Sequence, residues 1–121
     1  MNESILTSIK KLVNVAENDN SFDSDLIMYI NSVFMVIMQE WYGVEHSFKI
    51  EDESATWEDF LGTDEVDYEG LKTYIGLRVR LLFDPPTNSA VLQAIKDEMK
   101  DLEWRMYIWK DMLRLDNIGK D

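Results

Sequence analysis

Apolar residues at Ile5, Leu6, Ile9, Leu12, Val13 and Ala16 recur at helical spacing, which predicts a first helix with Lys10 and Lys11 on its wet side. The polar cluster "ENDNS" then reads as a loop. A second helix follows in "FDSDLIMYINSVFMVIMQEWYG", with Asp23 or Ser24 as N-cap and Gly43 as the closing residue. Its main apolar line is Leu26, Ile30, Val33, Ile37 and Trp41. A second line (Ile27, Phe34, Met38) and a third (Met28, Met35) widen the stripe nearly all round, so this helix needs cover on more than one side. Either a central place in its own domain or a share of a subunit interface would provide that cover.

The stretch "VEHSFKIEDESATWEDFLGTDEVDYEG" is the least regular. Phe48 and Ile50 alternate with Lys49 and Glu51, which suits a short strand or an extended arm. Thr56 or Ser54 can cap one helical turn carrying Trp57, Phe60 and Leu61 and ended by Gly62. A third long helix is expected from about Asp67 to Phe83, with Tyr68, Leu71, Ile75, Val79 and Leu82 on one face. Pro85 and Pro86 cannot continue it, and Asp84 before Pro85 is pushed out of the α region. Thr87, Asn88 and Ser89 offer three N-caps for a restart, so the corner reads as a helical hairpin.

The final helix carries a heptad seam: Leu92, Ile95, Met99, Leu102, Met106, Trp109 and Leu113 step alternately by three and four. A second line of Trp104, Tyr107, Ile108 and Leu115 appears only in its C-terminal half. One stripe is enough for a helix packing within a small bundle, so Trp104, Tyr107, Ile108, Trp109 and Leu115 are candidates for a contact with another molecule. The expected fold is mainly α: one domain over residues 1–121, a small bundle of about four helices, and an irregular acidic loop with room for a short strand.

Composition supports helices, because 5 Gly and 2 Pro are few for an all-β chain of 121 residues. The formal charge is −12, from 24 acids against 12 bases. Such a chain is poorly suited to hold nucleic acid by neutralising phosphates, and would discourage DNA from adhering as it passes. Most of the excess lies between Lys49 and Glu69, where Glu58, Asp59, Asp64 and Glu65 are among nine acids opposed by one lysine. The absence of Cys excludes disulfides, thiol nucleophiles and Cys-built metal sites. The first twenty residues show no basic region followed by an apolar run, and Leu26 to Trp41 falls short of the roughly 20 apolar residues of a membrane span. A soluble protein made in the cytoplasm, without a membrane partner, is the expectation.

Candidate chemistry is sparse. His46, beside Glu45 and Ser47, is the only histidine, and adjacency in sequence does not make a triad. No P-loop, GxGxxG or HExxH occurs. Asp19, Ser21, Asp23 and Asp25 have the spacing of a calcium loop, but Ser24 stands at its glycine position and Ile30 at its closing glutamate. No catalytic set, cofactor site or metal site is expected.

The combination of "INSVFMVIMQ", "FKIEDESATWEDFLG" and "LKTYIGLRVRLLFDPPTNSAVLQAIKDEMKDLEWR" resembles the head–tail connector (adaptor, head-completion) proteins of long-tailed bacteriophages and prophages. The resemblance runs from about Asp23 to Trp109. Its most specific pieces are Trp57-Glu58-Asp59-Phe60-Leu61 and Arg80 to Pro86 ahead of Glu103-Trp104-Arg105. It implies a small helical virion protein assembled as a ring, dodecameric in the virion, beneath the portal. Such a ring extends the DNA channel and offers a platform to the next head-completion or tail protein. Under that implication Glu58, Asp59, Asp64 and Glu65 become candidate channel-facing acids, past which double-stranded DNA slides without sequence-specific binding. The rival reading is an acidic DNA mimic or regulatory inhibitor of a basic protein, which accounts for the charge but not for the surplus aromatics or the corner.

Overall fold

The computed structural model describes residues 3–41, 48–61 and 69–118, with side chains described over 3–38, 48–60 and 69–105. Among the described residues five helices follow in order: α1 (Ile5–Leu12), α2 (Asp23–Trp41), α3 (Trp57–Leu61), α4 (Glu69–Phe83) and α5 (Ser89–Ile118). Among the described residues there is no strand, only an isolated antiparallel bridge between Ser4 and Thr56. The mainly helical expectation holds, and the single turn at Trp57 is the fifth helix.

Helix α1 starts where the Ser4 hydroxyl accepts from the Thr7 amide at 3.2 Å. It closes at Leu12, although the periodic pattern runs on to Ala16. Asn14 takes φ 63°, the Val15 amide returns to the Lys10 carbonyl at 2.8 Å, and the Asn14 amide reaches the Lys11 carbonyl at 3.4 Å. This is a Schellman stop with asparagine in the left-handed position. The apolar residues Val13 and Val15 still reach the core after the helix has closed.

Lys10 is not on the wet side. It is 3% exposed, with its ammonium 2.7 Å from Asp23 Oδ1 and 3.2 Å from both the Glu17 carbonyl and Asn20 Oδ1. A charge this enclosed is tolerable only with such partners. The "ENDNS" loop is therefore folded around a buried cation. Asp23 lies inside the first turn of α2 and serves that ion pair.

The core joins Leu6 and Ile9 of α1, Ile30, Phe34 and Ile37 of α2, Trp57 of α3, and Tyr74, Ile75 and Val79 of α4. The central helix is α4, which packs against α1, α2 and α5. Helix α1 comes close enough that a Cβ on Gly76 would collide with Leu12 Cδ1. Tyr74 rather than Leu82 completes the buried face of α4: Tyr74 is 1% exposed, its hydroxyl held by Arg78 at 2.9 Å, whereas Leu82 is 50% exposed.

Phe48–Ile50 forms no strand. Its backbone is met by one side chain: Asn31 of α2 donates from Nδ2 to the Ile50 carbonyl at 3.0 Å and accepts from the Ile50 amide at 2.8 Å. An amide that satisfies both backbone groups removes the need for a pairing strand. Phe48 and Phe60 then close on Phe34, with ring centroids 5.3 and 4.5 Å away.

The corner behaves as the prolines require. The Asp84 amide makes the last bond of α4, to the Arg80 carbonyl at 2.8 Å. Asn88, of the three candidates, caps α5 by accepting from the amides of Ala90 at 2.8 Å and Val91 at 3.1 Å. The seam residues Ile95 and Leu102 are buried and Met99 is partly buried against the core.

Candidate interaction surfaces

The hairpin sets a register between its two arms. A Cβ on Gly70, at the start of α4, would lie 3.8 Å from Leu102 Cδ2. Helix α4 therefore runs out opposite Leu102. It has 15 residues and α5 has 30, or about 22 Å against about 45 Å at 1.5 Å per residue. The C-terminal half of α5 continues beyond the length of its neighbour.

Trp104 stands at that transition and is 63% exposed, the most open of the large apolar side chains described. A tryptophan left in water forgoes a large burial gain, so the position is informative in a way that a lone exposed leucine is not. Of the other interface candidates, Tyr107, Ile108, Trp109 and Leu115 lie on the helical backbone of α5, and their side chains fall outside the described residues. So do those of Met106 and Leu113 of the heptad seam.

A second exposed apolar line is on α2. Met28 and Met35 are each 55% exposed, on a face completed by exposed Asp25 and Ser32. The widened apolar stripe of α2 is thus covered on two sides and open on the third. The methionine line, visible in the sequence, is the part left uncovered within the chain.

The candidate channel acids divide. Asp59 holds its own helix in place, because Thr56 Oγ1 accepts from the Asp59 amide at 3.2 Å while Asp59 Oδ2 accepts from the Thr56 amide at 2.9 Å. This reciprocal capping box fixes the start of α3. Its sequence signal is a threonine followed three positions later by an acid. Glu58 is half-buried on the same helix, and Asp64 and Glu65 lie outside the described residues. Glu51, Asp52 and Glu53 are exposed. Asp52 accepts from the Ser54 hydroxyl and amide, and these bonds hold its carboxyl below the usual carboxylate range.

The N-terminal arm fastens α3 to the bundle. The Ile5 amide donates to the Ala55 carbonyl at 3.0 Å and the Trp57 amide to the Glu3 carbonyl at 3.1 Å. Glu3 accepts from Ser8 Oγ at 2.8 Å and pairs with Lys72 of α4 at 3.2 Å, and Lys72 also meets Glu69 at 3.1 Å. Burial pulls the Lys72 ammonium down, but its bonds to Glu69 and Glu3 outweigh that and raise it above the ordinary lysine value. Sequence reading missed this cluster, because Glu3 and Lys72 are 69 positions apart.

Among the described residues, no three His, Asp or Glu side chains are grouped to hold a metal ion, and no helix is long and apolar enough to cross a membrane. Asp19 and Asp23, from the abortive calcium spacing, are engaged otherwise: Asp19 accepts from the Ser21 amide and Asp23 pairs with Lys10. His46 lies outside the described residues.

No curated protein and no solved structure matches the chain. The family model described as "Phage connector protein" matches residues 5–112. The match takes in α1 as well as the segments from Asp23 onward that carried the resemblance. Covering most of the chain, it establishes that this protein belongs to the phage connector protein family.

Proposed function

We propose that the protein assembles as a ring, a dodecamer in the virion, between the portal and the tail. There it extends the DNA channel and offers the platform on which head completion and tail attachment proceed. Membership of the connector family supplies the structural role and the place at the head–tail junction. The observation that carries the ring reading is Trp104, 63% exposed on a helix that outruns α4, the long helix it packs against. Ring contacts are heterologous, so each subunit needs two different adhesive surfaces. The C-terminal half of α5 and the open face of α2 supply two.

The acids beside the irregular segment suit a channel wall. With nine acids against one lysine between Lys49 and Glu69, such a wall repels phosphates and lets DNA slide. Under this reading Glu58, Asp64 and Glu65 face or border the lumen, and Asp59 contributes charge while holding α3. Synthesis in the host cytoplasm and incorporation into the virion follow from the same role.

The test is Trp104→Glu. An added charge in a desolvated contact costs on the order of several kcal/mol. The expected product is a folded protein by circular dichroism that sediments as a monomer and fails to complete heads. Normal ring formation by this variant, or wild-type protein that stays monomeric with and without its portal, would overturn the reading.

A further inference from the structure

We propose that two copies of this chain pair edge to edge through Lys49 and Glu51, forming a short antiparallel ladder about a two-fold axis at Ile50. The pairing is separate from the ring contacts, because an isologous contact closes after two copies.

The first observation is the direction of the main chain. One carboxamide, that of Asn31, meets both the Ile50 amide at 2.8 Å and the Ile50 carbonyl at 3.0 Å. The two groups of Ile50 therefore point to the same side, as they do in a β conformation. Burial alternates to match: Phe48 packs on Phe34, Lys49 is exposed, Ile50 is buried and Glu51 is exposed. In such a chain the amides and carbonyls of Lys49 and Glu51 are directed away from Asn31. They make no hydrogen bond with any described residue. Asn31 thus closes one edge of the segment and leaves the other open.

The second observation is charge. Among the described residues, neither Lys49 nor Glu51 makes an ion pair. An antiparallel partner centred on Ile50 sets Lys49 of each copy opposite Glu51 of the other, so both cross-strand pairs are of opposite charge. Asp52 and Glu53 lie outside the ladder, in the turn that Ser54 closes onto Asp52. Each copy carries −12. In about 0.15 M salt the Debye length is about 8 Å, so repulsion between distant charges is largely screened while the opposed side chains touch.

An open edge is a template for indiscriminate strand addition, and pairing closes it in copies that have not yet joined a ring. About four main-chain bonds and two exposed ion pairs make a weak contact, on the order of 0.1–1 mM, so the edge alone does not hold two copies together in dilute solution.

The native chain has no cysteine, so introduced thiols are the only ones present. Lys49→Cys/Glu51→Cys sets thiol opposite thiol with Cα atoms about 5.5 Å apart, within disulfide reach. Mild oxidation should give a covalent dimer whose peptide map joins position 49 of one copy to position 51 of the other. Each single variant leaves its thiols out of register and should give little dimer. The Trp104→Glu background keeps ring contacts out of a second measurement, sedimentation equilibrium up to millimolar protein. There the parent should dimerise, Lys49→Glu should weaken the dimer at least about tenfold, and Lys49→Glu/Glu51→Lys should restore it. A monomer at every concentration, a charge swap that restores nothing, or single-cysteine variants that link as fast as the double one would overturn the pairing.

Discussion

The indole N–H of Trp57 donates to the Ser8 hydroxyl at 3.0 Å, joining α3 to α1 through a side chain with no exposed surface. Ser8→Ala removes the acceptor from a buried donor, which costs about 1–3 kcal/mol. Trp57→Phe loses the same bond and some volume. The double variant should cost clearly less than the sum of the two single ones, because the bond is lost only once. Urea unfolding of the four proteins checks this; strictly additive losses would show that the bond contributes nothing.

Gly76→Ala should destabilise despite the better helix propensity of alanine, which is worth about 1 kcal/mol. Rotation of Leu12 can clear its Cδ1, but its Cβ would remain 3.1 Å from the new methyl. Overpacking of this kind costs about 1–3 kcal/mol. In a Leu12→Ala background the penalty should shrink, because Cγ and Cδ1 go while the Cβ contact stays, and in a Leu12→Gly background it should vanish. A stabilised single variant would mean that α1 and α4 separate without cost.

Lys72 gives an alkaline signature. Its folded-state pKa is raised, so the stability it contributes is complete below the ordinary value of 10.5 and is lost as pH rises through the higher folded-state value. Lys72→Met should therefore narrow the stability gap to wild type in that alkaline range and keep it constant near neutrality. Thermal unfolding against pH, read as the difference between the two proteins, provides the measurement. A gap that does not narrow would sink the assignment to Lys72.

Neutralising Glu58, Asp64 and Glu65 together as Gln, Asn and Gln tests the channel wall without touching the capping box at Asp59. Heads should assemble, while DNA release slows, most of all at low salt where screening is weakest. An inhibitor of a basic protein would instead lose its partner and show no ring. Unchanged release at every ionic strength would retire the channel role for these acids. Asp59→Ala belongs in a separate experiment, where loss of the cap should cost about 1 kcal/mol.

The elements that sequence made plain were those governed by local chemistry. Pro85 and Pro86 stop α4 whatever surrounds them, and the 3-4 seam orients α5 through Leu102. The differences came from partners distant in sequence or from one residue overruling its neighbours. Asn14 ends α1 inside an unbroken apolar pattern by turning left-handed. Lys10 looks solvated until the chain returns with Asn20 and Asp23 to enclose it. The alternation at Phe48–Ile50 suggests a strand because no local signal shows that Asn31 satisfies its backbone. The prominence of Trp104 was legible, since a second apolar line serves no purpose in a helix that packs along one stripe.

The bridge from Ser4 to Thr56 also bears on the order in which the chain folds. It joins residues 52 apart, whereas α4 and α5 meet across a corner of a few residues. Closing the longer loop costs more chain entropy, so the α4–α5 hairpin should form ahead of the attachment of Trp57 to α1. We expect φ-values near zero for Ser8 and Trp57 and substantially higher ones for Ile75 and Ile95. The reverse pattern would place the nucleus at the N-terminal arm. Late docking also makes Trp57, one of four tryptophans, a probe of the last step: its burial marks completion of a subunit that can then join its neighbours.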